Sequence, residues 1–256
     1  MKIYWKWILV TWSGLVLYTM ATAVPCPAMD ASQIVTDAFR YWRGEASVAE
    51  VEMLIHRPTW ERRMTIAGWT RGDRESLFRI TEPAKDRGNG TLKKDRNMWM
   101  YNPKINRIIK LPPSMMSQSW MGSDFSNNDL SKTDSLLREY EHRITGTEEM
   151  SGMRVFLIES IPREDAPVIW GKQRLKIRED HIFLLQEFYD EDGLLVKAMS
   201  AEQIEMLGDK RFPRVWVMRQ ADKPDEYTKL TYRKLQFKKQ LPDRIFSITN
   251  LKNPER

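Results

Sequence analysis

Between Asp30 and Gly44 the apolar residues Ile34, Val35, Ala38, Tyr41 and Trp42 recur at helical spacing. The spacing predicts one amphipathic helix, capped by Asp30 and ended by Gly44. Beyond it the apolar period falls from about 3.6 residues to about 2. Val51, Met53 and Ile55 share one phase of a first strand, and Trp60, Arg62, Met64 and Ile66 share one phase of a second. Arg71-Gly72-Asp73 reads as a hairpin turn, followed by Ser76, Phe78 and Ile80 on one face of a third strand. Pro83 to Gly90 is rich in turn formers and charge and reads as a loop. Short strands resume at Asn97–Tyr101 and Arg107–Leu111, then at Met153–Ile161, Val168–Arg178, Ile182–Tyr189, Leu194–Met206, Arg214–Arg219 and Tyr227–Phe237. Turn formers separate them, as in Asp190-Glu191-Asp192-Gly193 and Lys223-Pro224-Asp225. About ten or eleven short strands at regular spacing predict a mainly β protein, an antiparallel meander closed or nearly closed into a barrel. No alternation of strand and helix appears, which argues against a parallel sheet.

The segment from Pro112 to Tyr140 breaks the alternation. Met115, Met116, Trp120, Met121 and Phe125 stand there among Ser, Asn, Gln, Gly and Asp. Asp129 or Ser131 is suited to cap a short helix through Leu136, Leu137 and Tyr140. A long insertion carrying this many large apolar side chains is not an ordinary solvated loop. In a barrel, the surface for it to cover is the open mouth, so the segment reads as a lid. Within it, Gly122 suits a left-handed or tight backbone. Ser123 or Asp124 can brace the lid through backbone N–H groups, and Asp124 is expected to meet an arginine of a neighbouring strand, with Arg107 as a candidate.

The start of the chain changes where this domain works. Lys2 and Lys6 precede an apolar run from Ile8 to about Ala23, and Pro25 and Pro27 close it. Charged, apolar and small residues in that order predict a secretory signal peptide over residues 1–28, with cleavage after Ala23 or after Ala28. Residues 29–256 then form a single exported domain. Cleavage after Ala28 removes Cys26, the chain's one cysteine, and with it any disulfide or thiol chemistry. Removing Lys2 and Lys6 leaves 39 basic residues (41 − 2) against 35 acidic ones, a net charge of +4. That mild excess is mixed along the chain and forms no basic block, so nucleic acid is not an expected partner.

Candidate chemistry is sparse. His56, His142 and His181 stand far apart and show no metal-ligand spacing. There is no Gly-x-Ser-x-Gly elbow, and Gly88-Asn89-Gly90 is too short for a phosphate loop. Neighbouring acids such as Asp190-Glu191-Asp192 belong to a turn. No enzymatic activity, metal or cofactor is therefore expected. The 15 methionines and 10 tryptophans of the whole chain are the unusual inventory. Methionine is flexible and polarizable and suits surfaces that accept varied apolar partners. The expected ligand-binding residues are apolar: Met53, Ile55, Met64, Ile66, Phe78, Met98 and Met100 on strand faces, with Met115, Met116, Trp120, Met121 and Phe125 from the lid. Gly122, Ser123, Asp124 and Arg107 are the expected bracing residues. Each buried methylene contributes about 0.8 kcal/mol, so an acyl chain can be held with few polar contacts.

Several runs add a resemblance. Met98-Trp99-Met100-Tyr101-Asn102-Pro103, Arg107-Ile108-Ile109-Lys110-Leu111, Ser119-Trp120-Met121-Gly122-Ser123-Asp124-Phe125 with Asp129-Leu130, Phe188-Tyr189-Asp190-Glu191-Asp192-Gly193 and Phe246-Ser247 together resemble the outer-membrane lipoprotein-sorting proteins, which are similar to the periplasmic carrier LolA. The resemblance implies an unclosed antiparallel β-barrel around a hydrophobic cavity, with helices as a lid. It also implies carriage of a lipoprotein or lipid through the periplasm without a cofactor. The partners it implies are acyl chains, an inner-membrane exporter and an outer-membrane acceptor. Two other classes stand beside it: an accessory subunit docking on an RND-type exporter without carrying lipid, and a secreted hydrolase.

Overall fold

The computed structural model describes residues 30–254. The expected signal peptide, both cleavage positions and Cys26 lie outside those residues. Helix α1 spans Ala31–Arg43, and the Asp30 carboxylate accepts from the Ser32 N–H. Gly44 ends the helix at φ +63°, where a side chain is strained, and a Cβ there would lie 2.7 Å from the Phe237 ring. Thirteen strands follow: β1 (Ala46–Arg57), β2 (Trp60–Arg71), β3 (Glu75–Glu82), β4 (Gly90–Lys94), β5 (Asn97–Asn102), β6 (Arg107–Lys110), β7 (Tyr140–Met150), β8 (Met153–Pro162), β9 (Lys172–Arg178), β10 (Phe183–Tyr189), β11 (Leu195–Leu207), β12 (Lys210–Gln220) and β13 (Tyr227–Lys238).

They form one antiparallel sheet in the order β6-β5-β4-β3-β2-β1-β13-β12-β11-β10-β9-β8-β7. Strand β1 pairs with β13, which joins the first and last strands of the meander at the middle of the sheet. The free edges are β6 and β7, so the barrel is unclosed. Residues 111–139, which join these two edges, contain two 3₁₀ turns and the short helices α2 (Asn127–Ser131) and α3 (Ser135–Arg138). The expected lid is therefore the chain that runs between the sheet's two free edges. Register shifts in the β1–β13, β2–β3, β7–β8 and β9–β10 pairings help the sheet curl.

Strand alternation sorts the core. On the inner face, α1 lays Val35, Ala38 and Phe39 against Ile158, Leu175, Ile177 and Trp216. Met98 and Met100 of β5 also face inward, with Met53, Met64 and Ile80. Trp99 and Tyr101 take the opposite face, where Leu241, Phe246 and Leu251 of the C-terminal segment pack on Ala46, Leu77 and Leu92. Here α4 (Ile248–Lys252) approaches β4 so closely that a Cβ at Gly90 would lie 2.8 Å from Leu251 Cδ1.

Two strands exceed the expectation. Strand β4 is only five residues long, and its sequence Gly-Thr-Leu-Lys-Lys carries little apolar signal. Strand β7 is an edge strand rich in charge, as edges commonly are. Helix capping in the lid also differs. Ser126 caps α2 in a reciprocal capping box with Asp129, α3 is separate, and Tyr140 already begins β7. Residues 168–171 stand outside β9, which starts at Lys172.

His142 gives a pH test of this core. Its Nδ1 lies 2.8 Å from Ser160 Oγ, and burial holds its pKa below the ordinary 6.5. The unfolded chain therefore binds more protons than the folded one just below pH 6.5, and stability falls as the pH drops through that window. Urea melts at pH 7 and pH 5.5 are expected to show this loss, and His142→Gln to reduce it. An unchanged slope in the variant would refute the assignment.

Candidate ligand cavity

A cavity of about 250 Å³ lies between the inner face of the sheet, α1 and the lid. That is just below the usual range of ligand pockets, roughly 300–1,000 Å³. Its walls are mainly apolar: Phe39 and Trp42 of α1, Ala49 and Val51 of β1, Phe188, Trp216, Met218 and Leu230 of the later strands, and Leu130 and Leu136 of the lid. One end is polar. Arg43, Ser47, Thr70 and Ser76 meet there, with Ser47 Oγ 2.7 Å from Thr70 Oγ1. Trp216 Nε1 and Asn128 Oδ1 are buried cavity-wall atoms without a hydrogen-bond partner among the described residues.

Of the twelve apolar residues singled out by sequence, Ile66, Phe78, Trp120 and Phe125 line this cavity. The other eight do not. Met53, Ile55, Met64, Met98, Met100, Met115, Met116 and Met121 form a solid cluster with Leu111, in which lid methionines interdigitate with strand methionines. Trp120 joins that cluster to the cavity. It packs edge-on against Phe78, with ring centroids 5.9 Å apart, and its Nε1 donates to Thr91 Oγ1 at 3.0 Å. The structure thus separates a methionine-rich plug from a cavity walled largely by aromatic and aliphatic side chains.

The lid is held by three acids, each paired with a cation from an inward strand position. Asp124 accepts from Arg57 at 3.0 and 3.2 Å and from Thr228 Oγ1 at 2.6 Å. The expected bracing by Ser123 and Asp124 thus uses Arg57 of β1. Arg107 is exposed on the free edge strand β6, opposite Asn102, and does not serve as this partner. Asp129 pairs with Lys197 of β11, and Asp134 with Lys93 of β4 at 3.1 Å. Around the first anchor the backbone is tight. Met121 and Gly122 are left-handed at φ +56° and +78°, Ser123 Oγ donates to the Trp120 carbonyl oxygen at 2.6 Å, and the Trp120 N–H donates to the Phe125 carbonyl oxygen at 2.7 Å. Left-handed Met121 costs more than a glycine would, and the surrounding bonds hold it. Burial lowers the Lys93 pKa while Asp134 raises it, and burial is the larger cause.

The histidines stand away from the cavity wall. His56 pairs with Glu61, His142 with Ser160, and His181 is left-handed in the β9–β10 turn. Among the described residues no group of three His, Cys, Asp or Glu is placed to hold a metal ion.

A family model described as an uncharacterized protein matches residues 72–253. The chain belongs to that family. No curated protein matches it. Solved structures add the fold. A DUF1329 family protein from Desulfovibrio piger is 21% identical with a TM-score of 0.77, over 86% of this chain and 97% of its own. A LolA superfamily protein from Nitrosomonas europaea is 23% identical with a TM-score of 0.71, over 86% and 98%. An outer membrane lipoprotein-sorting protein domain from Vibrio parahaemolyticus is 22% identical with a TM-score of 0.74, over 87% and 98%. The chain shares its fold with these structures, a LolA superfamily protein among them, as the motifs of the middle segment imply.

Sequence reasoning missed Arg43, Arg57, Lys93 and Lys197 at this site. For three of them the signal was present. Arg57 continues the phase of Met53 and Ile55, Lys93 that of Thr91, and Lys197 that of Met199. A cation in the inward phase of a strand needs a partner, and the lid acids at 124, 129 and 134 supply it.

Proposed function

We propose that this family member is a periplasmic carrier of acylated cargo, a lipoprotein or a lipid, that performs no chemistry on it. The observation carrying this reading is the apolar cavity lying under a segment that runs from one free edge of the sheet to the other. A ligand held by area and shape, with few polar contacts, is what such walls suit. The methionine plug beside the cavity is soft, and lid movement would let longer chains extend into it. Loading and release then require the lid anchors to open, and an inner-membrane exporter and an outer-membrane acceptor are the proposed partners for these steps. The likeness to lipoprotein-sorting proteins supports the same reading, as does the expected signal peptide.

Native mass spectrometry of gently purified protein, followed by organic extraction, tests it. Stoichiometric lipid or acylated peptide is expected. Ala49→Trp places an indole in the cavity and is expected to reduce the bound lipid about tenfold or more, at a stability cost of about 1–3 kcal/mol from overpacking. A clean apo mass that persists when lipids and lipoproteins are offered would turn the reading toward an exporter-docking subunit.

A further inference from the structure

The polar end of the cavity carries a charge that acyl binding alone does not use. Arg43 is 7% exposed and lines the cavity. Its Nε donates to the Gly72 carbonyl oxygen at 3.0 Å and one terminal nitrogen donates to Ser76 Oγ at 3.1 Å. No carboxylate among the described residues forms an ion pair with it. Asp73 and Asp134 act on it at longer range, and both are engaged elsewhere, Asp73 with Arg138 and Asp134 with Lys93 and Arg138. Arg43 itself is met by neutral groups, the Gly72 carbonyl, Ser76 Oγ and the Trp42 ring, whose centroid lies 5.7 Å from the guanidinium carbon.

Tyr232 faces the same charge. It lines the cavity, packs edge-on against Phe212 with centroids 5.3 Å apart, and its hydroxyl has no hydrogen-bond partner among the described residues. Burial pulls the Arg43 guanidinium down to about 10 and pushes the Tyr232 phenol up to about 12. A desolvated cation without an acid is costly in a protein interior, and a planar guanidinium matches a carboxylate in two parallel hydrogen bonds. Leu230 is the next inward position of β13 after Tyr232 and leads into the apolar wall with Trp216 and Met218. Lys93 and Lys197 are already paired with lid acids and do not offer this site.

We propose that this end of the cavity binds the carboxylate of a long-chain fatty acid, with Arg43 as its ion-pair partner, Tyr232 donating a hydrogen bond, and the tail lying along Leu230, Trp216 and Met218. The proposal rests on the acyl-binding reading and adds a head group to it. The test titrates delipidated full-length protein with palmitate and with methyl palmitate, below micelle-forming concentrations, by displacement of a fluorescent fatty acid. The two probes share a chain and differ in charge. Palmitate is expected to bind about tenfold or more tighter than the ester, since hydrogen bonds to charged groups are the stronger ones. Arg43→Gln is expected to bring the ratio near one, chiefly by weakening palmitate. Tyr232→Phe keeps the ring on Phe212 and is expected to lower the ratio about threefold, which preserves the test where the arginine variant does not fold. Equal binding of acid and ester by the unmodified protein, or a ratio that both variants leave intact, overturns the head-group assignment while acyl binding stands. Failure of both probes to bind overturns both.

Discussion

Asp124→Ala is expected to cost about 2–4 kcal/mol of stability and to speed exchange of bound lipid. Breaking a buried pair by removing one partner typically costs about 3–5 kcal/mol, because the other charge stays buried and alone. Here the loss is smaller, since Arg57 Nε keeps Glu226 at 3.0 Å and the Arg57 side chain is 14% exposed. Thr228 loses its acceptor as well. The anchor lies where the lid crosses β1 and β13, so its loss frees the Ser119–Phe125 turn before it frees the sheet. Two readouts separate these effects: urea unfolding for stability, and stopped-flow displacement of a fluorescent fatty acid for exchange. The double variant Arg57→Met, Asp124→Leu removes both charges and is expected to recover part of the stability, as apolar replacement of buried pairs often does. Exchange rates unchanged in Asp124→Ala would show that this anchor does not govern the lid.

The second large effect is expected at Trp120, through packing instead of charge. Trp120 is 5% exposed, inserted between the methionine plug and the cavity, and tied to Thr91 of β4. Trp120→Ala is expected to destabilise by about 3–5 kcal/mol, as deletion of a buried aromatic does. It would also join the plug region to the cavity and enlarge the accessible apolar space. Longer acyl chains are therefore expected to gain affinity relative to short ones, while Trp120→Phe keeps most of the fill and stays close to the unmodified protein. Chain-length profiles of the three proteins decide it. A profile that only scales down uniformly would mean that Trp120 supports the fold without dividing the interior.

Much of the architecture was legible from alternation. The inward phase of β1, β2, β3 and β5, the outward turn of Trp99 and Tyr101, the N-terminal helix and the special character of residues 112–140 all follow from periodicity and turn chemistry. Strands β4 and β7 did not, because a five-residue strand and a charged edge strand carry little apolar pattern. The site was legible only in part. Alternation tells which side chains face inward, but not how far apart the inward faces of distant strands stand. The methionines therefore looked like lining and pack as a plug, while Phe39, Trp42, Trp216 and Tyr232 line the cavity.

By itself the sequence determined the strand phases, the lid's acids and glycine, and the cations at inward strand positions, because local periodicity and residue chemistry are properties of the chain. The tertiary structure decided the pairing of β1 with β13, the free edges at β6 and β7 that the lid joins, and the choice of Arg57 over Arg107 as the partner of Asp124. It also decided that Arg43 ends α1 at a cavity with no acid among the described residues paired to it. Those facts depend on which distant segments meet, and strand order is set by packing over the whole sheet, which no local spacing encodes.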